Sequence, residues 1–496
     1  MKLLLSLALL PWLLLPTSGL AAGPRSGWEK SVVRIEVSHN VYDYYQPWNR
    51  RSETVSKTGV VVGKTQILTT AENLSDRTLI RVQAGGRGAW ANATVVWVDY
   101  YANLAVLTTP APDFWSGLKP VTIPAKPSFK KDGLQILRWR EGKLESRQAE
   151  FSQFAVRKGR LSDINQVFLE ASSEIQAAGD SEPVVSGSQL VGLVIEQSGR
   201  NCKILPGAFL HMILSAHARA HAQAPRLGYF HFYWQPAENT DSLAYLGLPG
   251  KPRGVLVIEV SPRLDGQPNV LQPQDIILQI DNFDIDMQGD YADPDYGLLM
   301  LENLATRNRW AGDAVHMKIW RTGQVHDVIY RLPQYDFTNS LVPAGVFDQP
   351  ADYLIVGGLV FQPLTVPYLQ RWGGDRGRNA LFRLNYYRED EATKARPSLV
   401  ILSQVLPDRF NIGYQEYRGL VVEKINGQTV HHLSQIQAAL EKPTGPFHVI
   451  DFVPNETVQR VVIAAGEREQ TATARVLENF GISAAAQITP QPATAN

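Results

Sequence analysis

The 496 residues contain a single cysteine, Cys202, so no disulfide can close within the chain and stability has to come from packed cores. With no thiol or histidine partner in a metal or redox spacing, Cys202 reads as a small buried hydrophobe. Net charge is also missing: 48 Lys and Arg balance 48 Asp and Glu, which leaves no overall field to draw the molecule to nucleic acid or anionic lipid. Nucleic-acid binding is therefore set aside. The apolar run Leu3–Leu15 is interrupted by Pro11 and is too short to span a bilayer comfortably. It follows Met1-Lys2 and precedes the small residues Ser18–Ala22, which makes 1–22 a signal peptide and the mature protein an exported one, periplasmic or extracellular. The ten histidines show no zinc-ligand spacing, and Asp281, Asp284, Asp286, Asp290, Asp293 and Asp295 lack the closing glutamate of a calcium loop. Neither metal nor cofactor is expected.

What is present is a chain with 44% hydrophobic residues, long enough for about three domains. Short β segments with turn signals run from Ser31 to Thr109, among them Val32–Val37, Gly59–Val62 and Ile67–Thr70. A second β-rich group, including Val167–Leu169, Pro183–Val185 and Leu190–Val194, is closed by a helical stretch from Pro206 to Ala216. Two β units and a helix fit a chymotrypsin-like double β-barrel over 23–224. Pro225–Glu238 and Pro333–Pro350 read as connections, bounding a PDZ-like order of elements over 225–335 and a second PDZ-like α+β unit over 351–483. The alanine-, proline- and threonine-rich end, 484–496, reads as a disordered tail. The fold class is mainly β.

Three stretches resemble the catalytic landmarks of Deg/HtrA (Do-like) serine proteases. In Thr69-Thr70-Ala71-Glu72 the family's histidine position holds Glu72, and in Asn103-Leu104-Ala105-Val106-Leu107 the aspartate position holds Asn103. The nucleophile loop corresponds to Ile175–Pro183, where an ungapped match puts Asp180 at the serine position; a one-place shift puts Ser181 there instead. Tyr353–Phe361, Val366–Leu369 and Asn411–Tyr414 are similar to the second PDZ-like domain of plant-type Deg proteases. The resemblance spans Ser31 to Ile482 and implies a trypsin-like domain followed by two PDZ-like domains, assembled as a homotrimer or hexamer.

Serine-protease chemistry needs a base that takes the serine proton and returns it to the leaving amine, which imidazole does near neutral pH. Glu72, with an ordinary pKa of about 4.3, is a weak base at pH 7. Glu182, in place of a glycine, would put a carboxylate where an oxyanion should form. The triad positions are thus expected to be non-functional. What the resemblance leaves is peptide capture through Arg253-Gly254-Val255-Leu256, which matches a PDZ loop and strand. The expectation is a pseudoprotease that binds peptides or unfolded protein without cleaving them, in envelope quality control or as a scaffold. Three alternatives stay open: an active serine endopeptidase using Ser181 with an unconventional base, a regulatory subunit of an active Deg paralogue, and acid/base work by a Glu72–Asp180 carboxylate pair.

Overall fold

The structure is a computed structural model that describes residues 27–490 except 128, 130–132, 175–179, 221–223, 264–266, 337–339, 372–382, 389 and 455–457. The expected leader 1–22 and the first part of the loop at 175 lie outside the described residues.

Strand Val32–Tyr42 shows how the sequence builds its first layer. Val33, Ile35 and Val37 alternate into one core, while Val32 faces a second core shared with the following unit. The strand pairs antiparallel with Arg50–Gly63, from Val32 opposite Val60 to Tyr42 opposite Arg50, and on its other side with Arg77–Ala84. Gly59 is needed at the centre of this seven-stranded sheet, because a Cβ there would lie 2.5 Å from Ile67 Cγ2. Asn165–Ser172, Asn201–Pro206, Gln189–Ser198, Pro183–Ser186, Leu134–Arg140 and Lys143–Lys158 close, in that order, into a six-stranded barrel. Helix Gly207–Arg219 drives Phe209, Leu210 and Ile213 into the core between the two units, beside Val60, Leu104, Phe168 and Leu193. Cys202 is buried in the second barrel, where desolvation pushes its thiol up to about 11.

Two further antiparallel sheets follow. In the first PDZ-like unit the order is Phe232–Pro236, Val255–Val260, Ile276–Ile280, Ala314–Arg321 and Gln324–Arg331. In the second it is Arg460–Ala464, Phe447–Phe452, Leu420–Ile425, Val400–Val405, Leu359–Pro363, Tyr353–Val356 and Ala486–Gln487.

Two boundary expectations are corrected. The stretch Pro333–Pro350 is not a free linker: Leu341 and Val342 are buried against Tyr368, Leu369 and Ile401, and Asp348 bonds Arg77 and Tyr100 of the first β unit. The tail does not begin at 484 either. Ala486–Gln487 pairs with Tyr353–Leu354, and Thr489 donates to Asp352, because the edge strand Tyr353–Val356 would otherwise leave backbone groups unpaired.

Candidate functional site

The cleft between the two β units collects the residues expected there. Strand Gln66–Thr69 and the turn after it carry Glu72, and the turn before Leu104–Thr108 carries Asn103, whose Oδ1 accepts the Glu72 backbone N–H at 3.0 Å. From the second barrel, the turn before Pro183–Ser186 brings Asp180 and Ser181 to the same place; the Asp180 carbonyl accepts from Thr58 N–H at 3.3 Å.

The polar groups assembled there are engaged with one another. Arg160 Nε donates to Glu72 Oε1 at 2.7 Å, so the carboxylate at the base position already has a cation. Burial pushes the Glu72 carboxyl up while Arg160 pulls it back, and the Asp180 carboxyl is likewise raised by burial against the pull of Lys57 and Arg160. Lys57, absent from the sequence expectations, is buried under this floor. Its ammonium donates to Thr70 O at 3.0 Å, to Thr70 Oγ1 at 2.8 Å and to the Glu72 carbonyl. Desolvation lowers it to about 8. Its position on a long strand, immediately before the buried stretch Thr58–Val61, was the available signal: a charged residue bordering an apolar run.

Ser181 is fully buried at a positive φ of 60°. Its Oγ accepts the Thr70 N–H at 3.0 Å and shares a 3.0 Å hydrogen bond with the Thr69 hydroxyl; its own N–H donates to the Val194 carbonyl. None of these partners is a base, and the N–H that could steady an oxyanion is already engaged. The expected intrusion of Glu182 is also corrected. Past the left-handed turn at Ser181, the Glu182 carboxylate enters the second barrel and pairs with Arg147 at 2.9 Å, both side chains 2% exposed. Burial raises the Glu182 carboxyl, opposed by Arg147 and Arg138.

The expected peptide site needs the larger correction. Arg253 Nη1 caps its own turn on Pro249 O and Lys251 O, and the Gly254 N–H donates to Ile285 O. A Cβ on Gly254 would lie 2.4 Å from Ile277 O, so internal packing accounts for the glycine. Val255 pairs with both Pro236 and Ile277, and Leu256 with both Gln235 and Ile276. A strand bonded on both sides cannot accept a third chain. Among the described residues the strands of this sheet left with an open side are Gln324–Arg331 at one end and Phe232–Pro236 at the other. A cavity of about 690 Å³ runs beside the latter, walled by aromatic residues including Tyr229, Phe230 and Trp234. The alternation Phe230, Phe232, Trp234 after Gly228 was the signal in the sequence, obscured by the prolines that made 225–238 look like a connection.

A PDZ domain family model matches residues 342–487. The mitochondrial Do-like 3 sequence of Arabidopsis thaliana is 25% identical over 94% of this chain and 81% of its own length. The chloroplastic protease Do-like 2 of the same plant is 25% identical over 91% and 74%. Over most of its length the chain is thus similar to Do-like serine proteases, and its C-terminal region to the PDZ domain family. Among solved structures, the HtrA-type protease AlgW with a decapeptide aligns at 17% identity over 62% of this chain and 96% of its own, with a TM-score of 0.45. Two places in this fold therefore contrast, the cleft between the β units and the open side of Phe232–Pro236. The first is closed by its own side chains. Three of the six acidic residues between 281 and 295 pair with arginines, Asp281 with Arg309 and Asp293 and Asp295 with Arg307, while Asp284 accepts from Gln279 and Asp286 from backbone N–H groups.

Proposed function

We propose that this Do-like chain is a peptide-binding pseudoprotease. The double β unit serves as a scaffold, and the first PDZ-like domain captures peptides or unfolded segments by strand addition along Phe232–Pro236, without cleavage. The observation that carries the reading is Ser181: the only hydroxyl at the nucleophile loop that an alignment can supply is fully buried and bonded to a hydroxyl and an N–H rather than to a base. In a well-studied serine protease, losing the base alone costs on the order of a million-fold in turnover. The same burial weighs against an endopeptidase built on Ser181, and the Arg160 contact on Glu72 weighs against a Glu72–Asp180 carboxylate pair. Export by way of residues 1–22 and assembly as a homotrimer or hexamer complete the proposal, on the family resemblance.

The test is incubation of the purified mature protein with casein, beside a Ser181→Ala variant. The expected result is casein binding with no fragments from either protein. Fragments from the parent that disappear only in Ser181→Ala would overturn the reading.

A further inference from the structure

The groove beside Phe232–Pro236 carries a charge pattern that selects among peptides. Its wall includes Glu302, whose Oε1 accepts the Trp234 Nε1–H at 2.9 Å and whose Oε2 is buried without a hydrogen-bond partner among the described residues. It also includes Glu391, which reaches across from the second PDZ-like unit to His231 Nε2 at 3.3 Å and Ser261 Oγ at 2.9 Å. Neither carboxylate has a lysine or arginine partner among the described residues. The other acids on the wall do: Asp163 with Lys158, Asp336 with Arg226 and Asp390 with Arg396. Arg388 is the remaining cation among the described residues of the wall, so the residual charge is one negative when His231 is neutral and Glu302 is ionised against the upward push of its burial.

A free C-terminal carboxylate would need unengaged N–H groups in the loop that leads into the capture strand. In that loop the His231 N–H already donates to the Tyr330 hydroxyl at 3.0 Å, and Gly228 is bridged to Gln334. Glu391 sits beside the same loop, where it would repel a second carboxylate. The ring faces of Tyr229, Phe230 and Trp234 along the groove are, by contrast, suited to ammonium and guanidinium groups.

We propose that the groove takes internal, lysine- or arginine-bearing peptide segments, with Glu302 and Glu391 as the residues that set this preference. The inference rests on Phe232–Pro236 being the capture strand. It departs from recognition of a chain terminus, because both the charge and the state of the loop disfavour a carboxylate.

The test measures binding of three fluorescent peptides, identical in their apolar residues, to the full-length protein by anisotropy. One bears lysines and an amidated end, one replaces the lysines by glutamine and is amidated, and one is the neutral peptide with a free carboxylate. The lysine peptide is expected to bind about 5- to 10-fold more tightly than the neutral amidated one at low salt, an advantage that salt erodes. In the isosteric double variant Glu302→Gln, Glu391→Gln that ratio should fall toward one, with an unchanged melting temperature showing that the fold is intact. Equal binding of all three peptides would leave strand capture standing and remove the cation preference. Tightest binding by the free-carboxylate peptide, or a ratio the double variant does not move, would also overturn the inference. Binding of none would remove both the inference and the capture reading beneath it.

Discussion

The cleft and the groove both gather polar side chains, yet they differ in what remains unengaged. In the cleft, Lys57 is bonded to the Thr70 and Glu72 carbonyls, Arg160 to Glu72, Ser181 to Thr69 and Thr70, and Glu182 to Arg147. In the groove, one side of strand Phe232–Pro236 is open among the described residues, and two carboxylates have no lysine or arginine partner there, Glu391 meeting only His231 and Ser261. A site that satisfies itself gains stability and loses ligands, whereas an unpaired strand side and an uncompensated charge are what a ligand can complete. The second PDZ-like unit supplies the control. Its strand Leu359–Pro363 holds the place in the sheet that Phe232–Pro236 holds in the first, but Tyr353–Val356 pairs along its outer side, and Ala486–Gln487 pairs beyond that. The same architecture is therefore closed in one copy and open in the other by an added hairpin strand.

If the cleft has become a structural element, damage to it should register as lost stability. The largest effect is expected for Arg147→Met, which strands the Glu182 carboxylate inside the barrel with, among the described residues, only Arg138, 4.0 Å away, to offset it. Unfolding in urea should show a loss of about 3 kcal/mol, while Arg51→Met at the exposed Glu53 pair should change it by no more than about 0.5 kcal/mol. Equal effects from the two variants would break the contrast between a self-satisfied cleft and an ordinary surface.

Lys57→Met comes next. The ammonium is held at about 8 when folded, below its ordinary value of 10.5, so the folded chain binds fewer protons than the unfolded chain between those pH values. Parent stability should therefore rise with pH across about 8 to 10.5 relative to the variant. The shift in the gap between them should be at most about 3 kcal/mol. A gap that stays constant from pH 7 to 10.5 would mean that Lys57 is not a buried ammonium. The smallest effect is expected from Ser181→Ala: removing a hydroxyl with two internal partners should cost about 1 kcal/mol in urea unfolding and leave peptide capture in the groove as it was. A serine poised for catalysis and free of those bonds would lose activity with no such stability cost.

Much of the fold was legible because it is written in local alternation. Val33, Ile35 and Val37 point to one side of a strand whatever surrounds them, and the helix Gly207–Arg219 could be placed from its apolar spacing at Phe209, Leu210 and Ile213. That positions 72, 103, 180 and 181 hold glutamate, asparagine, aspartate and serine is likewise a matter of residue identity, visible without coordinates. The peptide site was misplaced for the opposite reason. Whether Val255–Val260 or Phe232–Pro236 offers a free side depends on which strands pair, and Val255-Leu256 has the same apolar look in either case. Proline and glycine around 225–238 suggested a connection, although an edge strand tolerates proline where an inner strand does not.

By itself, then, the sequence determined the order of four β-rich units, the buried cysteine and the residue types at 72, 103, 180 and 181, since each follows from residue identity and near-neighbour pattern. Only the tertiary structure decided that Glu182 turns into the barrel, that Lys57 closes the cleft floor, that residues 486–487 complete a sheet, and that Glu391 faces His231 across two units. Those outcomes depend on pairings between residues from 13 to 160 positions apart, which no local pattern encodes.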